Sequence, residues 1–289
     1  LVQCLSIYRL EKEYMIAVDT KNNNPRLTMA ERADIHELYE EAVQNVETEI
    51  EFLLETFRDL RGRDAQSFRE DFCGTASTSC EWVRSGSSRY AVGVDIDADV
   101  LNWGRKNRID RLSESGRSRI KLLNEDVMHV HTEPVDVVGA FNFSYWIFKS
   151  RSELREYFSR VHSALKSDGL FFVDAYGGSE AYEEQKEKTK CKGFTYIWDQ
   201  ASFEPVTASM ICHIHFKFKD GSRIKEAFTY DWRLWTLPEL REVMEEAGFS
   251  NVRVYWEDED DEGEGTGEFH EDSTGEADPA WIAYIVGEK

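Results

Sequence analysis

Two carboxylates 25 residues apart, Glu70 and Asp95, frame the stretch whose side chains are best suited to chemistry. Glu70 closes a strand over residues 66–72, and Gly74 stands where the chain must turn sharply and let a ligand approach its backbone. Thr75 opens a short helix to residue 84, whose unpaired N–H groups face the same ligand. Asp95 closes the next strand, residues 90–95, at nearly the spacing by which an acidic side chain meets a ribose in dinucleotide-binding units. A carboxylate there can accept from both ribose hydroxyls, so the unit suits a nucleoside. A pyrophosphate needs small residues in such a turn, and Phe72 occupies one of those places. The expected ligand is a nucleoside that carries no phosphate.

The elements that must position these groups alternate. Strands are expected over residues 66–72, 90–95, 119–123, 136–141 and 170–175, and helices over 75–84, 98–107 and 150–165. Asp97 is placed to cap the second of those helices, and Ser150 with Glu153 forms a capping box for the third. Residues 166–169 are read as a turn. Such alternation argues a parallel sheet with helices on both faces and a ligand at the carboxyl ends of the strands.

Upstream, Ile35, Leu38, Tyr39, Ala42, Val43, Val46, Ile50, Leu53, Leu54 and Phe57 recur at helical spacing. They predict a packing helix over residues 30–60, from which Tyr39 and Gln44 could reach the ligand as a lid. Beyond Gly177 and Gly178 the pattern changes to a charged helix over 179–190. Strands over 194–198, 209–218 and 223–230 follow, an antiparallel meander that covers the pocket. Thr236 and Glu239 open a last helix that Gly248 ends, followed by strands over 251–256 and 281–286. The expected organisation is a loose arm over residues 1–29 and one domain over 30–289. Within that domain lie the inserted cover (179–235) and an acidic loop (257–279) whose Phe269 could fold back over the pocket. The chain opens on Leu, and Met15 and Met29 are read as alternative starts.

Composition narrows the partners. Of the net charge of −21, −12 falls in residues 257–278 and −9 elsewhere, which disfavours a nucleic-acid backbone. Hydrophobic residues make up 41% of the chain, enough for a full core. Cys4, Cys73, Cys80, Cys191 and Cys212 are odd in number and lack paired-ligand spacing, so they read as reduced thiols of a cytoplasmic protein. No apolar run reaches the length of a membrane span.

Residues Glu70 to Ala76 resemble the first motif of class I S-adenosylmethionine (SAM) dependent methyltransferases, an acidic residue and then a Gly-rich turn, although Phe72 and Ala76 replace usual glycines. Asp95 matches the family's ribose-binding acid, and the run Asn124-Glu125-Asp126 its adenine-contacting acid. Phe141-Asn142-Phe143 matches the strand end beside the methyl donor, and residues 239–249 its last helix. The resemblance covers roughly residues 39–286. It implies a Rossmann-like, doubly wound α/β sheet of seven strands, mostly parallel with an antiparallel last strand, and SAM as cofactor. The cofactor-binding residues it implies are Tyr39, Gln44, Glu70, Phe72, Cys73, Gly74, Thr75, Asp95, Ile96, Asp126, Val127, Phe141, Asn142 and Phe143. SAM fits them chemically, since a sulfonium is stabilised by aromatic faces such as Phe141, Phe143, Tyr39 and Tyr145.

The expected reaction is in-line methyl transfer to an N or O atom of a small molecule, with an amine slightly favoured. Tyr145 and Tyr176, with His215 behind them, are candidates to assist proton removal; Tyr145, Trp146 and Arg233 are candidates to contact substrate. Arg233 either binds a substrate carboxylate or ties the meander to the last helix. His213 with His215, and His129 with His131, share strand faces but lack further ligands, so no metal is expected. Two alternatives stay open: a SAM- or nucleoside-binding interaction module without turnover, and a methyltransferase acting on RNA or protein.

Overall fold

The structure, a computed structural model, describes residues 27–259 and 265–289. Three helices come first, α1 (Met29–Arg32), α2 (Ile35–Val43) and α3 (Val46–Arg61), where one was expected. The apolar stripe is continuous, but the backbone is not. Asp34 caps α2 through bonds from the His36 and Glu37 N–H groups, and Gln44 and Asn45 leave the helical region between α2 and α3. Short polar side chains favour such breaks over helix interior. The expected N-terminal arm lies, but for its last three residues, outside the described residues.

A wound unit follows: β1 (Ser67–Asp71), α4 (Ser77–Arg84), β2 (Tyr90–Asp95), α5 (Ala98–Asn107), α6 (Glu114–Arg117), β3 (Ile120–Asn124), β4 (Val135–Ala140), α7 (Arg151–Ala164) and β5 (Leu165–Gly177). β1 and β4 are buried along their whole length, as central parallel strands covered on both faces must be. The expected turn at 166–169 is instead the irregular start of β5, where Leu165 pairs with Val135 and Leu170 with Val137.

The second sheet is antiparallel, β6 (Gln185–Lys190), β7 (Phe194–Glu204), β8 (Ser209–Phe218) and β9 (Arg223–Arg233), in that order. β6 replaces the charged helix expected over 179–190. Its side chains alternate, with Lys186, Lys188 and Lys190 exposed, and pairing with β7 outweighs their helix propensity. Outward lysines also blunt the edge. The chain closes with α8 (Leu237–Ala247), β10 (Asn251–Glu259), β11 (Gly265–Glu271) and β12 (Trp281–Glu288). β11 lies inside the stretch read as an acidic loop, because Gly265, Phe269, His270 and Glu271 pair with Glu259, Glu257, Trp256 and Tyr255 of β10.

The large sheet runs β11-β10-β12-β5-β4-β1-β2-β3, eight strands where seven were expected. β3, β2, β1, β4 and β5 are parallel; β12, β10 and β11 are antiparallel to their neighbours. Strand order reverses between β1 and β4, and a crevice opens at the carboxyl ends there. α3 and α4 cover one face through Phe52, Leu53, Phe57 and Trp82. On the other, α7 and α8 share a core with Tyr196, Ile214 and Trp232 of the second sheet. No described helix is long and apolar enough to cross a membrane.

Candidate functional site

Among the described residues, four of the six non-glycine residues with positive φ sit at the ends of the two strands that flank the crevice: Phe72 (57°) and Ala76 (60°) after β1, Asn142 and Phe143 (56° each) after β4. Each costs about 1–3 kcal/mol, and such strain persists where surrounding bonds hold it. Asp174 of β5 holds the second pair: its two carboxylate oxygens accept from the Asn142 and Phe143 N–H groups at 2.7 and 2.9 Å. Asp95 secures the first turn, accepting from the Gly74 N–H (2.8 Å) and, through its other oxygen, from the Asp97 N–H (2.9 Å).

The β1 turn has the shape of a nucleoside cradle. Each Asp95 oxygen keeps a second acceptor direction. Gly74 has φ +52°, and a Cβ there would have no atom within 4 Å, so its need for glycine is conformational and the space before it is open. Ile96 is 73% exposed, an apolar face beside Asp95. The Asn124 amide donates to the carbonyls of Asp95 and Ile96, binding this corner to the β3 end. There Asp126 caps the Met128 N–H and Val127 is buried. Gly104 of α5, which no motif marked, lets that helix touch the turn, since a Cβ would lie 2.3 Å from the Thr75 carbonyl oxygen.

Three residues of this turn sit differently from expectation. One carboxylate oxygen of Glu70 is committed to α4, accepting from the Ser79 N–H (2.9 Å) and hydroxyl (2.6 Å); burial pushes its pKa up to about 7 against those bonds. Phe72 turns its ring to Phe148 and Tyr157, so its bulk is spent on the α7 side of the sheet. Cys73 is buried and offers its backbone, not its thiol, which burial holds neutral. Thr75 and Ser77 both donate to Glu40 of α2 (2.6 and 2.7 Å), which also pairs with Arg108 at the end of α5. α2 is thereby clamped across the turn, a contact sequence reasoning missed.

Beside the Asn142–Phe143 turn lies an aromatic cavity of about 60 Å³, in part open to solvent. Tyr39, Phe143, Tyr176, Trp198, Tyr230 and Trp232 are among its walls, and the acidic groups lining it are Asp174 and Glu49 of α3, each 6% exposed. Among the described residues no Lys, Arg or His lines it. Burial raises the Asp174 pKa to about 7, even with two backbone N–H bonds favouring its charged form. Burial and the charges of Asp174 and Glu70 push Glu49 well above the ordinary carboxylate range. Neither acid was expected. Glu49 does fall in phase with Phe52, Leu53 and Thr56 on the buried side of α3, and a carboxylate on an apolar stripe is a legible signal. Asp174 had no such mark.

Other expected residues are placed elsewhere. Tyr145 is fully buried and donates its hydroxyl to the Asp174 carbonyl (2.8 Å), outside the cavity lining. Tyr176 lines the cavity, but its hydroxyl turns to the Met210 sulfur (3.3 Å) and burial makes the phenol a weaker acid. Trp146 stacks behind Tyr176 and Trp232 without lining the cavity. Arg233 donates to the Lys149 carbonyl and to Glu239 and lies over Trp235, a tie between β9 and α8. Phe141 is buried on the α3 side against Tyr284. Gln44 ends α2 outside the cavity lining, and its amide oxygen has no partner among the described residues. His215 is engaged by Asp199 and the Glu226 N–H, and His213 by Thr229. Phe269 packs on Phe52 and Tyr284, one of the cavity walls.

These features fit SAM: open space before Gly74, free acceptor directions on Asp95, an exposed apolar face at Ile96, and an uncharged aromatic wall nearby. Residues 71–173 match the family model described as a methyltransferase domain. No curated protein sequence matches the chain. Among solved structures, a SAM-dependent methyltransferase from Clostridium acetobutylicum superposes with a TM-score of 0.65 at 14% identity, over 88% of this chain and 96% of that one. DesVI of Streptomyces venezuelae gives 0.62 at 17% identity over 90% and 99%. The sugar N-methyltransferase KedS8 from a Streptoalloteichus species gives 0.60 at 14% over 89% and 93%. At such identities these likenesses speak for the fold, and the family match speaks for the domain. Residues 71–173 therefore match a methyltransferase domain, set in a fold shared with SAM-dependent methyltransferases.

Proposed function

We propose that the protein transfers the methyl group of SAM to the nitrogen of a small-molecule amine. One observation carries the choice of acceptor: an aromatic cavity whose charged lining is two buried carboxyl groups and no base, set against the Asn142–Phe143 turn. Such a box attracts a cation by its ring faces and its acids. When bound, SAM supplies an activated methyl group on a sulfonium, already a good leaving group.

The chain's own residues then bind, orient and exclude water. Asp95 takes the ribose hydroxyls, Ile96 and Val127 border the adenine, and Asp126 caps its edge. Gly74 and Thr75 give the donor its close backbone approach, with the Glu70 carboxyl nearby. Phe143 and Tyr39 offer ring faces on the acceptor side. The fold neighbour KedS8, by its name, methylates a sugar nitrogen, which agrees with an amine reading. The charge of −21 speaks against RNA, and unpaired Cys73, Cys80, Cys191 and Cys212 suit a cytoplasmic setting.

The test is SAM turnover against a panel of amines, with phenols and alcohols as controls, read as S-adenosylhomocysteine formed and methylated product by mass. Amines that turn over at least tenfold faster than matched hydroxyl compounds support the reading. Binding of SAM with no turnover of any acceptor would favour an interaction module instead.

A further inference from the structure

Glu49 is chemically out of place. It is 6% exposed, its helix turns it toward the buried side, and among the described residues its carboxyl has no hydrogen-bond partner. Burying an unpaired acid is costly, and leucine at this position would serve packing better. Asp174 on the same cavity is the opposite case, both oxygens fixed by backbone N–H groups. One acid is committed to structure and the other is free.

We propose that Glu49 is the proton acceptor for the substrate amine, taking a proton from its ammonium so that a lone pair faces the methyl group. This inference rests on the amine reading above. The groups that act on Glu49 are Asp174 from β5 and Glu70 from β1, both acidic. The phenols of Tyr39 on α2 and Tyr284 on β12, which burial keeps neutral, also feel its charge. α4 and β11, which also pack on α3, bring no charge that acts on it.

Surrounded by acids and apolar rings, Glu49 is held toward its neutral form in the empty pocket. An arriving ammonium favours its charged form, and its proton leaves to solvent. In the productive complex an N–H bond breaks with its electron pair left on nitrogen, and an O–H bond forms on Glu49. The freed pair makes the new N–C bond as the methyl carbon's bond to sulfur breaks, its electron pair staying on the sulfur of the departing S-adenosylhomocysteine. The product leaves as the methylated ammonium and Glu49 is left protonated. An unprotonated nitrogen is the condition for attack, and a carboxyl raised toward neutrality is a better base than one near its ordinary value.

The experiment compares wild type with Glu49→Gln, using the best amine of the screen. The expected kcat of the variant at pH 7 is lower by roughly 100-fold or more. It should recover about tenfold per pH unit as the medium approaches the amine's own pKa, since free amine needs no base. Calorimetry of amine binding to the S-adenosylhomocysteine-loaded protein, in buffers of differing ionisation enthalpy, should show close to one proton released by wild type and clearly fewer by the variant. Unchanged SAM affinity shows that the variant is folded; if it is not, Glu49→Asp should give a profile displaced along the pH axis. A Gln variant within threefold of wild type at pH 7, or depressed equally at every pH with the same proton release, overturns the role of Glu49 alone. A wild type that methylates only hydroxyl compounds overturns the amine reading with it.

Discussion

Asp95 does two things at once: each of its oxygens receives one backbone N–H, and each keeps a free acceptor direction. Replacing it removes the proposed ribose contacts and also releases Gly74. Hydrogen bonds to a charged group contribute about 1.5–3 kcal/mol each. Asp95→Ala should therefore weaken SAM binding by roughly 100-fold or more, measured by calorimetry, while Asp95→Asn falls between; an alanine variant with wild-type affinity removes the ribose assignment. Asp174 uses its oxygens differently, to hold two successive residues at positive φ, and so shapes the cavity floor without needing to touch a substrate.

The clamp of α2 sets how the donor cradle is approached. Glu40 gathers Thr75, Ser77 and Arg108, so one side chain joins the first helix pair to the β1 turn and to α5. Glu40→Gln should raise the KM for SAM about tenfold and speed amide exchange in residues 35–43, with a smaller change in kcat. Exchange in α2 that matches wild type would mean the clamp holds nothing. Much of this level was readable beforehand. The capping boxes Ser150–Glu153 and Thr236–Glu239 open α7 and α8 as expected, and β2, α5 and β8 span the expected residues. What could not be read was decided by partners distant in sequence. Charged residues 185–190 pair with β7 instead of coiling, and residues 265–271 find β10. At the candidate site, spacing singled out Asp95 and Gly74, which the fold brings into one turn. Glu49 and Asp174 become neighbours only when α3 and β5 pack around the cavity, and Tyr145, chosen for its position after β4, turned inward to a carbonyl.

Across the molecule, the buried acids make stability depend on pH in a defined direction. Glu70 and Asp174 ionise at about 7 when folded and near ordinary carboxylate values when unfolded. Between those values the native state holds more protons, so stability falls as pH rises from about 4 through 7. Asp136 acts in the opposite sense. Bonds from Ser67, Arg63 and Lys166 hold its pKa below the usual range, so its contribution is full above that range and is lost on acidification. The ligand-free Tm should accordingly drop on the order of 5–10 °C between pH 5 and 8. About 0.5 M salt, which screens surface repulsion in this acidic chain, should leave the drop in place. A Tm that is flat or rising over that interval contradicts the burial of these acids.

Among the described residues the second sheet shares no hydrogen-bonded edge with the first; it meets the rest of the chain through side-chain packing and through side-chain hydrogen bonds such as those of Arg233 and Gln200. Residues from β7, β8 and β9 form much of the cavity's roof, whereas the turn proposed to hold the nucleoside is drawn from residues 70–127. On the proposed function, choice of acceptor and grip on donor are written in separate passages of the chain. Rewriting the inward residues of the roof, Trp198, Ile214 and Tyr230 first, should retune which molecule is methylated while leaving the affinity for SAM where it was.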